Sequence, residues 1–219
     1  MLLSSSEVYS GPNRGPTAEE DDFRREMRHS ENGYVLSKLF SEVLAERYRA
    51  QYGTKIYAVR PTNVYGPRDD VGGYRQRVIP SMLARIRAGQ HIDVWGDGSQ
   101  IRYFVHVADL VRTTMRLVET GKYDSLNVAT TERVSILELA ELVTEIMGSP
   151  RRIRVDPSKP IGVSGRLLDV RRMHELIDFV PHSLYDGLQE TARWFRSVGG
   201  HPYANERVPY EKLPRNRRG

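Results

Sequence analysis

Residues 34–61 contain Tyr34-Val35-Leu36-Ser37-Lys38-Leu39-Phe40-Ser41-Glu42-Val43-Leu44, then Gly53, then Lys55-Ile56-Tyr57-Ala58-Val59-Arg60-Pro61. Leu36, Leu39, Phe40, Val43 and Leu44 recur at the helical period, and Gly53 supplies a stop. The run 55–60 that follows reads as a strand closed by Pro61. On a helix advancing about 100° per residue, Tyr34 and Lys38 lie one turn apart, opposite the Leu36–Val43 stripe. The expectation is a helix that packs its apolar stripe on a core and turns Tyr34 and Lys38 toward a cleft.

The same alternation continues outward. Met1 to Tyr9 reads as the end of a buried strand running into a loop, and residues 17–31 as a polar, acidic surface loop. Beyond Pro61, residues 63–67 read as a turn and 69–77 as a Gly-containing loop. A helix opens near Pro80, and strands are expected over 92–95, 102–107, 126–129 and 153–155. Asp109 caps or opens a helix over 110–119. Ser135 with Glu138 forms a capping box for a helix to Met147, and two more helices fall near 170–177 and 184–198. Residues after Gly199 read as a polar, disordered tail. Strands alternating with helices give an α/β fold with a mostly parallel sheet.

Composition narrows the function classes. The chain has 219 residues, 39% hydrophobic, with a net charge of +5. Its mean hydropathy is −0.54. No apolar run reaches the roughly 18 residues that span a bilayer, and the first residues show no signal-peptide pattern. The sequence has no Cys, so disulfides, thiolate catalysis and Cys-bound zinc are excluded; a cytoplasmic location fits. Nearly all the positive charge is arginine, whose fork suits phosphate and carboxylate groups. The basic residues are spread along the chain without an aromatic-interleaved stripe, which argues for an anionic small molecule and against nucleic acid.

Tyr34, Lys38 and Ser5 carry the chemistry. A phenol is a poor base at neutral pH, and an ammonium one helical turn away favours its ionised form. A serine hydroxyl across the cleft can hydrogen-bond the same substrate oxygen. With 12 Tyr in the chain, a Tyr-x-x-x-Lys spacing also arises by chance, and an ordinary helix-surface pair stands as the alternative.

The surrounding residues favour the chemical reading. Ser4-Ser5-Ser6-Glu7-Val8-Tyr9, Tyr34-x-x-x-Lys38, Arg60-Pro61-Thr62-Asn63-Val64-Tyr65-Gly66-Pro67, Val78-Ile79-Pro80, Trp95-Gly96-Asp97-Gly98-Ser99-Gln100-x-Arg102 and Phe104-Val105-His106-Val107-x-Asp109 occur in one order. That order resembles the extended short-chain dehydrogenases/reductases, in particular the NAD-dependent epimerase/dehydratase family that modifies nucleotide sugars. Residues 156–170 look most like the GDP-L-fucose synthase branch.

The resemblance implies a partial Rossmann-like, doubly wound parallel sheet plus a smaller α/β substrate-binding region. By that analogy residues 1–66 are the remaining part of a dinucleotide-binding domain. Residues 67–199 are then mainly substrate-binding, with elements near 102–129 returning to the sheet, and 200–219 are tail. It implies an oxidoreductase, isomerase or lyase using NAD or NADP on a nucleotide-diphosphate sugar. Ser5, Tyr34 and Lys38 match the catalytic residues, and Tyr34, Lys38 and Pro61 fall where the cofactor is held. Asn63, Arg77, Arg102 and Arg166 fall on the substrate side. Asn63 could equally satisfy a turn, Arg102 an ion pair, and His106 reads as a packed structural histidine. In that family the helix bearing the tyrosine often lies at a homodimer interface.

Two departures qualify the analogy. Fucose synthases use a Cys and a His as an acid/base pair for epimerisation; here those positions hold Glu7 and Arg77, and arginine does not exchange a proton at pH 7. Glu7 is instead a candidate acid/base of the kind found in nucleotide-sugar decarboxylases and dehydratases. No Gly-rich strand–turn–helix unit precedes Ser5, so the expectation is a truncated enzyme with impaired dinucleotide binding. The alternative is a non-catalytic sugar-nucleotide-binding or interaction module that needs a partner segment.

Overall fold

A computed structural model of the protein describes residues 1–9, 15–21, 32–70, 77–150, 152–161 and 165–198. Most of the expected loops over 17–31 and 69–77, and the polar tail, lie outside the described residues.

The strands are β1 (Leu2–Leu3), β2 (Ala58–Pro61), β3 (Asn63–Tyr65), β4 (Ile92–Trp95), β5 (Ile101–His106), β6 (Ser125–Val128), β7 (Arg133–Ser135) and β8 (Ile153–Asp156). The helices are α1 (Gly33–Tyr52), α2 (Val78–Arg87), α3 (Val107–Thr120), α4 (Ile136–Ile146), α5 (Arg171–Leu176) and α6 (Leu184–Ser197). The fold is α/β. β1, β2 and β6 form a parallel sheet with β2 in the middle, in register Leu3↔Val59 and Val59↔Leu126. Every residue of β2 is buried, as expected of a central parallel strand covered on both faces.

A second sheet has β5 at its centre, parallel to β3 and antiparallel to β7, and β4 pairs in parallel with β8. Thr62 alone separates β2 of the first sheet from β3 of the second. Two apolar cores follow. One gathers Val8, Leu39, Val59, Leu117, Leu126 and Met173 around the first sheet. The other gathers Ile79, Val94, Phe104, Leu139, Leu188 and Phe195 around the second.

Several elements match their sequence signals. Gly53 closes α1 in the left-handed conformation at φ 64°. Ser135 and Glu138 form the capping box of α4. Others differ. Residues 63–65 were expected in a turn but form β3, because their backbone groups pair with β5 along Asn63↔Phe104. β7 lacks a sequence signal of its own and exists through pairing with β5. Asp109 sits inside the first turn of α3, whose N-cap is His106, and makes no cap.

The largest correction concerns α1. Its buried positions are Val35, Leu39, Glu42 and Ala45. Phe40 is 62% exposed, and Leu44, Tyr48 and Tyr52 join it on an open apolar face. The apolar residues of this helix wrap around more than one side, so their period alone could not say which side meets the sheet.

Candidate functional site

Strand β1 delivers Ser5 to its place. Ser4 extends the pairing by donating its amide to the Val59 carbonyl at 2.8 Å. Ser5 then turns the chain: extended itself, it caps a short 3₁₀ turn, Ser6–Val8, its Oγ accepting from the Glu7 amide at 3.2 Å. That leaves its hydroxyl hydrogen available to donate elsewhere.

Helix α1 brings Tyr34 and Lys38 to the same place. Asn32 caps its first turn by accepting from the Tyr34 amide at 3.0 Å. The Lys38 ammonium donates to the Leu3 carbonyl at 2.7 Å and lies 5.6 Å from the centre of the Tyr34 ring. Tyr34 is half exposed.

Ser5, Tyr34 and Lys38 line one cavity of about 530 Å³, together with Glu7, Pro61, Asn63, Arg77 and Arg102. Asn63 donates its side-chain amide to the Tyr103 carbonyl at 3.0 Å, which holds it in place at the rim. Arg102 donates to the Gln100 side chain at 2.9 Å; burial lowers its pKa, and the charge of Glu7 works in the opposite direction. Arg77 donates to the Val64 carbonyl and pairs with Asp69 at 3.2 Å. Burial raises the Asp69 carboxyl, against the pull of Arg77. The second Asp69 oxygen and the Thr62 hydroxyl, both on residues of the cavity wall, are buried without a hydrogen-bond partner. Arg166 is not on this wall; it donates to the Thr17 hydroxyl at 3.4 Å.

Behind the cavity lies a buried polar network that sequence reading missed. Arg60 grips the Glu42 carboxylate, Ser4 donates to that carboxylate, and Tyr9 joins Arg60 to Asn127 of β6. Burial pushes the Tyr9 phenol up to about 12, although Arg60 opposes it, so Tyr9 remains a donor. The signal available in the sequence was Glu42 standing one turn after Lys38, but a glutamate in a helix reads by default as surface.

His106, Asp109 and His182 form a separate cluster. Asp109 accepts from Arg112 at 2.7 Å, from His182 Nδ1 at 2.9 Å and from the His182 amide at 2.8 Å. Its charge is therefore met by a guanidinium, and the group acts as a clamp between α3 and the segment entering α6. His106 is 1% exposed, its ring centre 4.3 Å from that of His182 and tilted 41° to it, and edge-on to Tyr65, as expected of a packed histidine. Burial, helped by neighbouring His182, lowers its pKa.

The structure thus brings a serine, a tyrosine and a lysine together on the wall of one cavity beside a parallel sheet. Residues 1–129 match the NAD dependent epimerase/dehydratase family, and the chain belongs to it. Two Streptomyces proteins, from Streptomyces bikiniensis and a Streptomyces sp, each named dTDP-4-dehydro-6-deoxy-D-allose reductase, are 57% and 59% identical over 196 residues. The match covers 90% of this chain and 60% of each relative, so the chain spans about three fifths of their length. The GDP-L-fucose synthase of Escherichia coli (strain K12) is 31% identical over 210 residues, covering 89% of this chain and 65% of that protein. Among solved structures, the UDP-N-acetylglucosamine 4-epimerase of Methanobrevibacter ruminantium M1, in complex with UDP-N-acetylmuramic acid, superposes with a TM-score of 0.79 at 27% identity. That match covers 90% of this chain and 62% of the other.

The residues present fit the nicotinamide end of a dinucleotide. An ammonium has three donors, and the Leu3 carbonyl takes one from Lys38, so the others would be available to the ribose hydroxyls of such a group, with Tyr34 and Pro61 on the same wall.

Proposed function

We propose that this chain carries the proton-transfer and sugar-binding part of an NAD(P)H-dependent reductase. Its substrate is the 4-keto group of a nucleotide-linked 6-deoxyhexose, and it leaves the neighbouring ring carbons unepimerised. The observation that carries this reading is the convergence of Ser5, Tyr34 and Lys38 on one cavity wall. The two reductases more than half identical to the chain support the choice of reaction.

When bound, a reduced nicotinamide supplies the hydride that adds to the carbonyl carbon. Tyr34 donates its hydroxyl proton to the carbonyl oxygen, which becomes the product alcohol. Ser5 donates a hydrogen bond to the same oxygen, stabilising the charge that gathers there. Lys38 stabilises the phenolate left on Tyr34 until solvent reprotonates it. Arg102, half-buried in the wall, binds the diphosphate. Asn63 positions the sugar at the rim.

Epimerisation would need a proton exchanger on either side of the ring. Arg77 cannot serve, being permanently charged and tied to Asp69 and the Val64 carbonyl. Glu7 lines the cavity with Arg102, its charge acts on that arginine, and we read it as a partner of Arg102. We further infer that residues 1–66 with the region near β6 make the cofactor side and 67–199 mainly the sugar side. The open apolar face of α1 is the surface for a homodimer, and the setting is cytoplasmic. Among the described residues no helix is long and apolar enough to cross a membrane.

The test is incubation with dTDP-, GDP- and UDP-linked 4-keto-6-deoxy sugars and NADH or NADPH in D₂O. The expected product is a 4-hydroxy sugar without deuterium at C3 or C5. Deuterium at either carbon overturns the reductase reading. Sugar-nucleotide binding without turnover favours the alternative, a binding module completed by a partner segment.

A further inference from the structure

Glu42 stands on α1 one turn beyond Lys38 and two beyond Tyr34, and it is only 4% exposed. Arg60 grips both carboxylate oxygens: Nε lies 3.0 and 3.1 Å from them, and Nη2 lies 2.6 Å from Oε2. Ser4, the neighbour of Ser5, donates its hydroxyl to the same carboxylate. Arg60 precedes Pro61 of the cavity wall, and its Nη1 donates to the Tyr9 hydroxyl at 2.6 Å and the Glu19 carbonyl at 3.1 Å. Tyr9 in turn donates to Asn127 of β6 at 2.7 Å. One carboxylate thus ties the middle of α1 to the ends of β1 and β2, with β6 one step further on.

Stability alone is a weak reason for a buried ion pair. Apolar residues of similar volume commonly replace a buried ion pair at no loss, because desolvation offsets the attraction. What apolar contacts do not supply is direction. Val35, Leu39 and Ala45, which α1 buries, hold the helix through contacts that carry no direction of their own. A forked arginine–carboxylate pair accepts one planar alignment.

We propose that Glu42, held by Arg60 and Ser4, is a positioning residue that fixes the axial setting of α1, so that Tyr34 and Lys38 stand opposite Ser5. The importance of that setting rests on the reading of these three residues as the proton-transfer group. The setting itself can be measured without it.

Glu42→Gln keeps the side chain's size and removes the charge; Arg60→Lys keeps the charge and removes the fork. Amide hydrogen exchange on the full chain, well below its melting temperature, is expected to show lost protection in both variants over residues 2–8 and 33–42. Protection in α4 and α6 should stay as in the wild type. In turnover with NAD(P)H and a nucleotide-linked 4-keto-6-deoxy sugar, kcat should fall by about tenfold, with the KM for the sugar nucleotide unchanged. Ser4→Ala, which removes a single donor, should show the same pattern at smaller size and serves if the charge variants do not fold.

The proposal is overturned if protection at 33–42 is unchanged, or is lost uniformly across α4 and α6 as well. It is also overturned if kcat holds while only the melting temperature moves. Absence of turnover in the wild type would count against the reductase reading, and the exchange pattern would still decide the role of Glu42.

Discussion

The ammonium of Lys38 lies 2.7 Å from the carbonyl oxygen of Leu3, joining helix α1 to the strand that leads to Ser5. This bond holds the cation on the cavity wall that Lys38 shares with Ser5 and Tyr34. It also gives a strand of only two residues a second anchor besides its pairing with β2.

Replacing Tyr34 with Phe removes the proposed proton donor and few contacts, since the side chain is half exposed. The expected loss in kcat is about 10²- to 10⁴-fold, the usual range for a general acid. KM for the sugar nucleotide should change little, and the melting temperature should match the wild type.

Arg102→Met should act on binding. Loss of charge-assisted hydrogen bonds to a diphosphate costs about 1.5–3 kcal/mol, which is roughly 10- to 150-fold in affinity. Calorimetry with the free nucleoside diphosphate checks this directly. Equal loss of kcat without loss of affinity would place Arg102 in the wrong role.

His106 predicts a pH dependence of stability. Burial and the neighbouring His182 lower its pKa in the folded protein, with Asp109, Arg112, Glu190 and Tyr65 as its other charged or titratable surroundings. The unfolded chain takes up a proton at this residue near pH 6.5. Below that pH the unfolded state binds more protons than the folded one, so the stabilisation present above it is lost as pH falls. The slope for one group is at most about 1.4 kcal/mol per pH unit. Urea midpoints measured between about pH 7.5 and 5.5 should fall, and His106→Gln should reduce that fall.

Gly187 predicts a steric effect. A methyl group there would sit 2.1 Å from the Tyr65 hydroxyl and 2.8 Å from its ring. Gly187→Ala should destabilise by about 1–3 kcal/mol through overpacking. Combining it with Tyr65→Phe should recover part of that loss, because the nearest clashing atom is removed. Denaturant titration of the two single variants and the double variant tests the coupling.

These residues show what the sequence made legible. Ser5, Tyr34 and Lys38 were visible because their chemistry depends on residue type and helical spacing, and the fold brings them to one cavity. The capping box at Ser135 and the stop at Gly53 were visible because both act within a few residues. The buried side of α1 was not, because Phe40, Leu44 and Tyr48 carry as much hydrophobicity as Val35 and Leu39. Residues 63–65 read as a turn because their strand character comes from a partner some 40 positions away. Glu42 and Arg60 share this difficulty: each looks like a surface charge until the other is brought to it by the sheet.

Thr62, the lone residue between two strands of different sheets, has a mechanical consequence. The two sheets are spliced at this one residue, which also lines the cavity. On the reading proposed above, a bound ligand would meet side chains set by both sheets at once. Lengthening that splice by one residue would put the two sets of side chains out of step, even with every one of them still present.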